Sequence, residues 1–93
     1  MIVSFGNKAT AAIWAGMRSK QVPFAMNNVA RRKLRMLNAA TEIEDLRIPP
    51  GNRLESLGGK FKGYYSIRIN LQWRIIFNWE NGCAYNVQII DYH

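Results

Sequence analysis

Ninety-three residues with a net charge of +7 fit one domain, residues 1–93, long enough to close a core without disulfides. A single cysteine, Cys83, and a single histidine, His93, exclude an intramolecular disulfide and show no transition-metal spacing, so no metal or other cofactor is expected. No signal-peptide pattern and no run of about 18 apolar residues occurs, so the expectation is a cytoplasmic protein with no membrane contact.

The charge is unevenly placed. Residues 1–40 contain Lys8, Arg18, Lys20, Arg31, Arg32, Lys33 and Arg35 and no acid, while residues 41–93 contain six bases and six acids. The whole excess lies in the N-terminal part, which favours a polyanionic or acidic partner over plain solubility.

In chain order, residues 1–5 (MIVSF) suit a short strand. Asn7 suits the cap of a helix running to about Met17, with Ala11, Ala12, Ile13, Trp14 and Met17 as its buried stripe. A second helix over residues 25–40 starts at Pro23 or at a cap from Asn27 or Asn28. Val29, Ala30, Leu34, Met36 and Leu37 cover one side, and Arg31, Arg32 and Arg35 form a basic ridge on the other, a solvated face or a docking surface for an acidic partner. Thr41-Glu42-Ile43-Glu44 has the S/T-x-x-E capping-box form and predicts a third, short helix through Leu46. Pro49-Pro50-Gly51-Asn52 ends helical structure. Residues 53–57 suit a strand, and residues 58–63, with Lys60 and Lys62 between glycines, suit a basic loop: a flap over a phosphate backbone or a plain solvated turn.

Residues 63–79, GYYSIRINLQWRIIFNW, carry the strongest pattern. Tyr65, Ile67, Ile69 and Leu71 alternate with Tyr64, Ser66, Arg68 and Asn70. Trp73, Ile75, Phe77 and Trp79 alternate with Arg74, Ile76 and Asn78. Such alternation predicts two strands, joined near Leu71-Gln72, with one buried face and one wet face that holds both Arg68 and Arg74. Asn81-Gly82 is a hairpin signal. Over residues 84–90, Tyr85, Val87 and Ile89 are expected on one face and Asn86 and Gln88 on the other. The architecture predicted is α+β, with two to three N-terminal helices packed on one face of a small antiparallel sheet.

Chemistry concentrates at the end of the chain. If the last strand stays extended, Asp91 and His93 project to one side, where the carboxylate orients the imidazole and favours its protonated form. Arginines nearby suit charge building on a phosphoryl oxygen. A C-terminal tripeptide can equally fray and do nothing.

Pro49-Pro50-Gly51-Asn52-Arg53-Leu54-Glu55, Gly63, Ser66-Ile67-Arg68-Ile69-Asn70, Gln72-Trp73-Arg74 and the closing Asp91-Tyr92-His93 resemble the HigB (plasmid maintenance killer) group of the RelE/ParE toxin superfamily. The resemblance spans residues 1–93 and is most specific over 49–93. It implies a RelE/ParE-like fold and the toxin of a type II toxin–antitoxin pair. It also implies an endoribonuclease that cuts mRNA in the ribosomal A site, without a metal, through attack by the ribose 2′-hydroxyl. By similarity His93, Asp91 and Tyr92 form the acid–base and substrate-positioning group, and Arg74 is the phosphate-stabilising cation. Arg68, Arg53, Lys60, Lys62 and Tyr64 are the RNA-binding candidates, Tyr64 by stacking on a base. Glu55 and Gly58 depart from HigB toxins that carry histidine and lysine there, which makes Glu55 a possible base. Tyr64 and Leu71 stand where many near relatives have Gln and Asp. The implied partners are a HigA-type helix-turn-helix antitoxin, the ribosome and mRNA, with operator DNA bound only through the antitoxin complex. The rival reading is a ParE-like inhibitor of DNA gyrase or a protein-binding module without catalysis, which has no need of a titratable group at residue 93.

Overall fold

Two periodicities divide the chain, about 3.6 in the first forty residues and 2 in the last thirty, and each forms the element it favours. The computed structural model describes residues 1–92. Helix α1 spans Lys8–Trp14 and α2 spans Phe24–Ala39. Strands β1 (Glu55–Ser56), β2 (Tyr65–Arg68), β3 (Trp73–Glu80) and β4 (Cys83–Asp91) form one antiparallel sheet in the order β1-β2-β3-β4. Its register sets Ile67 opposite Ile75, Arg68 opposite Arg74, and Ile75 opposite Ile89. The Asn81-Gly82 turn has positive φ at both residues, +52° and +77°, as a tight hairpin with the right-handed strand twist requires.

One face of this sheet is the core. Ile67, Ile75, Phe77, Val87 and Ile89 pack with Ile13, Leu34 and Leu37 from the helices, all closed to solvent or nearly so. Burial of each such side chain is worth roughly 1.5–3 kcal/mol. The register of Arg68 and Arg74 is therefore as the alternation predicts, on the face away from the helices.

Residues 1–6 join the sheet beyond β4, in parallel, through two bridges, Ile2 with Ala84 and Phe5 with Val87. Helix α1 starts as its cap predicts: Asn7 Oδ1 accepts from the Thr10 amide at 2.9 Å. It ends at Trp14 rather than Met17, because Gly16 adopts φ +89° and turns the chain away. Pro23 caps α2 by position. Asn27, expected as an alternative cap, is instead buried inside the helix, where it accepts from the Ser19 amide and donates to the Val22 and Pro23 carbonyls.

Four readings of the sequence are corrected. Arg31 is not a solvated ridge residue: its Nε donates to the Ile13 carbonyl at 2.9 Å and Nη2 to the Met17 carbonyl at 3.3 Å, capping the end of α1. The third helix is a 3₁₀ turn, Ile43–Arg47, and its capping box is one residue later than predicted. Glu42 is the cap, and Asp45 accepts from the Thr41 and Glu42 amides. Tyr85 lies on the opposite face from Val87 and Ile89. Between Asn78 and Ile76 the β3–β4 register slips by one, so residues 86 and 87 together face Phe77, and Asn86 takes φ +53°. The amide freed by this bulge donates to Ser4 Oγ at 2.9 Å. Lastly, the second sheet face is not simply wet, because Ser66 and Ile76 on it are fully buried.

Candidate active site

The site sits on the sheet face away from the helices and is built around Arg74. Arg74 on β3 has only 11% of its side chain exposed, yet it keeps polar partners on that face. Its Nη1 donates to Ser66 Oγ on β2 at 2.7 Å, and its Nη2 reaches Glu55 Oε1 on β1 at 3.5 Å. The Tyr92 ring lies with its centroid 5.1 Å from the guanidinium carbon, within cation–π range. Three neighbouring strands and the end of a fourth thus fix one cation. Asn52 helps to hold the chain that leads into β1. Fully buried, it donates to the Leu46 and Ile48 carbonyls and to Met36 Sδ, and it accepts from Lys33 Nζ at 2.5 Å. Burial, and to a lesser degree Arg32, lowers the Lys33 pKa from its usual value.

Arg68 faces Arg74 across the strands, and among the described residues its buried Nε has no hydrogen-bond partner. Two cations opposed on adjacent strands repel each other. A phosphate bound between them would relieve that repulsion.

Beside this pair a concavity of about 290 Å³ opens between the Gly59–Phe61 turn and the end of β4, lined by Gly58, Lys60, Phe61, Ile90, Asp91 and Tyr92. The Phe61 ring stands 6.4 Å from that of Tyr92 and 6.2 Å, edge-on, from that of Tyr64. Lys60 Nζ is 5.2 Å from the Phe61 ring centroid.

The structure brings together Arg74, Arg68, Glu55, Tyr92, Tyr64 and Lys60 of the expected residues. Asp91 ends β4 in extended pairing, and its expected alignment with His93 falls on a residue outside those described. Asp91 pairs with Trp73, on the other side of the strand from Ile90 and Tyr92, and accepts from Gln72 Nε2 at 2.9 Å, though it also borders the concavity. Arg53 ends the Pro50–Asn52 turn at φ +46° and Lys62 ends the Gly59–Phe61 turn; both are exposed and neither lines the concavity. His93, the expected acid–base group, lies outside the described residues. Ser66 and Phe61 were not singled out by sequence. Shared strand parity with Arg68 and Arg74 signals the first, and an aromatic between two lysines signals the second.

Known proteins resemble the chain in sequence and in fold. The family model for the RelE-like toxin of type II toxin–antitoxin system HigB matches residues 5–93. Toxin HigB-1 of Vibrio cholerae serotype O1 is 49% identical over 72 residues, which cover 77% of this chain and 76% of that protein. Endoribonuclease HigB of Proteus vulgaris is 33% identical over 93 residues, the whole of both chains. Among solved structures, the YoeB–YefM complex from Staphylococcus aureus contains a chain that superposes with a TM-score of 0.62 at 19% identity, covering 100% of this chain and 95% of that one, a likeness of fold. With the family model spanning nearly the whole chain and curated relatives this similar, the protein belongs to the HigB family of RelE-like toxins of type II toxin–antitoxin systems.

Proposed function

We propose that this toxin is a ribosome-dependent endoribonuclease that cuts mRNA in the A site. In the reaction a ribose 2′-hydroxyl gives up its proton and attacks the adjacent phosphorus. The 5′-oxygen of the next nucleotide then leaves and takes up a proton. Arg74 neutralises the charge that builds on the phosphoryl oxygens, Arg68 binds the same or the neighbouring phosphate, and Glu55 and His93 are the groups available for the two proton transfers. Tyr92 positions the substrate, and Asp91 fixes the end of β4. No metal or cofactor enters this scheme.

The observation that carries this reading is Arg74 itself. A guanidinium held by Ser66, Glu55 and Tyr92 costs little reorganisation when an anion arrives, which is what electrostatic stabilisation of a transition state demands. The similarity to Endoribonuclease HigB supports it over the full chain. The acid-free residues 1–40 supply the helical layer on the opposite side of the sheet, a charge pattern suited to ribosomal RNA and to a salt-sensitive complex. The restraining partner is a HigA-type helix-turn-helix antitoxin, and operator DNA is bound only through that complex. The toxin acts in the cytoplasm, where the ribosomes are.

The test compares purified toxin on mRNA alone and on programmed ribosomes, with cut sites mapped by primer extension. Cutting confined to the ribosomal A site, and weakening as salt rises, is the expected result. Equal rates on naked mRNA would remove ribosome dependence, and gyrase inhibition without RNA cleavage would replace the reading altogether.

A further inference from the structure

We propose that the hollow between the chain leaving α1 (residues 15–18) and the first turns of α2 binds a phosphodiester of ribosomal RNA, through Arg18, Arg31 and Asn28. The proposal deepens the endoribonuclease reading and rests on its ribosome dependence. The hollow holds about 440 Å³, and its lining comes wholly from the helical layer, whereas Arg74 faces away from that layer. Two of the lining side chains are guanidiniums, and both are held in place before any ligand arrives. Arg31 Nε donates to the Ile13 carbonyl at 2.9 Å, Nη2 to the Met17 carbonyl at 3.3 Å and Nη1 to Asn28 Oδ1 at 3.3 Å. Each terminal nitrogen of Arg31 keeps a second N–H, and Asn28 keeps its amide N–H₂. The Arg18 guanidinium stacks on the Phe24 ring, 5.7 Å from its centroid, a contact that occupies its flat face and leaves its N–H edge to donate.

No carboxylate answers these charges. Residues 1–40 contain no acid, and among the described residues the ion pairs are Arg47 with Glu44 and Arg74 with Glu55. Two guanidiniums around one hollow repel each other, so an anion seated there is attracted by both. A carboxylate is satisfied by one planar fork. A phosphodiester has two unbridged oxygens directed apart and can take a cation on each. The positive charge also continues past the hollow, with Lys20 exposed before α2 and Arg32 and Arg35 exposed along it. A single small anion leaves that row unmatched, whereas a polynucleotide strand repeats its phosphates along it. Such a contact orients the toxin on the ribosome without reading sequence.

The test measures binding of labelled toxin to vacant ribosomes over a range of salt, so it needs no cleavage. Arg18→Ala should weaken binding about 10-fold and reduce the salt slope by about 1, the signature of one lost phosphate contact. Asn28→Asp, which sets a carboxylate beside Arg31 where the phosphate is to lie, should weaken binding as much with no loss of thermal stability. Arg18→Lys, which keeps the charge, should keep the slope. Arg47→Ala, the same loss of charge outside the hollow, should bind close to wild type. Wild-type affinity and slope in both Arg18→Ala and Asn28→Asp would overturn the proposal. Wild-type toxin that fails to bind ribosomes would overturn the ribosome-dependent reading itself, and this proposal with it. Unchanged ribosome binding in Arg18→Ala, with loss of saturable inorganic phosphate binding to the toxin alone, would assign the hollow to a small anion instead. Unchanged ribosome binding with loss of antitoxin binding would make it a seat for an acidic protein segment, and either result removes the RNA assignment.

Discussion

Ser66 and Arg74 stand diagonally across β2 and β3, and the fully buried Ser66 hydroxyl accepts from Arg74 Nη1 at 2.7 Å. A small polar side chain beneath the sheet surface thereby sets the direction of the cation above it. Removing the hydroxyl leaves the charge in place but unaimed. Ser66→Ala should lower cleavage about 10-fold, the scale of a hydrogen bond to a charged group, while Arg74→Ala should lower it by roughly 10²–10³. In the Arg74→Ala background, Ser66→Ala should cost almost nothing more. A double-mutant cycle on mapped mRNA cleavage measures this, and fully additive losses would refute a positioning role for Ser66.

His93 is the only side chain of the sequence whose ordinary pKa, about 6.5, lies near working pH. His93→Gln should cut cleavage by about 10² or more, the usual scale of general acid–base catalysis, and leave Tm and antitoxin binding unchanged. Growth arrest on induction, scored together with mapped cleavage, decides the point. Full toxicity of the folded variant would remove His93 from the mechanism and return the gyrase-inhibitor reading.

Arg31 separates a structural from a surface-charge role. Because it closes the Ile13 and Met17 carbonyls at the end of α1, Arg31→Ala should destabilise the chain by about 1–2 kcal/mol in urea unfolding. Arg35→Ala, on the exposed side of the same helix, should be close to neutral. Equal, negligible effects would restore the plain ridge.

Asp45 makes stability depend on acid. The backbone amides of Glu42 and then Thr41 lower its pKa in the folded chain. A carboxyl whose folded pKa lies below its unfolded value contributes fully above the unfolded value of about 3.9, and loses that contribution as pH falls through the folded one. Asp45→Asn should therefore lower Tm at pH 7, and the gap to wild type should narrow as pH drops below about 4. Thermal melts across pH 2–7 check it. A gap that stays constant over that span would assign the effect to side-chain packing instead.

Much of the fold was legible because its signals are local. The period-2 runs place Arg68 and Arg74 on one face, Asn7 caps α1, and Asn81-Gly82 makes the hairpin turn. What escaped is set by contacts distant in sequence. Arg31 reaches back 18 residues to Ile13, a partnership that helix periodicity does not encode. The capping box is displaced because Asp45, not Glu44, reaches the amides, a choice between adjacent acids that depends on where the chain turns. Ile76 reads as a wet-face residue by alternation, but it is buried. Of the candidate site, Arg68, Arg74 and Tyr92 were named from the sequence and lie together in the structure. Phe61 escaped because nothing in the sequence pairs the 58–63 loop with the end of the last strand.

The bulge at Asn86 has a consequence for the far end of β4. Up to Ala84, the even-numbered residue belongs to the core; from Val87 onward the odd-numbered ones do. Without that half-step the tail would run in the other phase, with Tyr92 turned toward the helices and Asp91 toward Arg74. One extra residue, left-handed at φ +53° and tied to Ser4, thus decides which member of the terminal triplet meets the cation. The bulge thus lets β4 carry one residue more than its partner and still present Tyr92 to the candidate site. Deleting Asn86 should therefore remove the bulge, let β4 pair regularly with β3 and keep Val87, Ile89 and Tyr92 on their present faces, so that cleavage survives; loss of cleavage in the folded variant would give the bulge a role of its own.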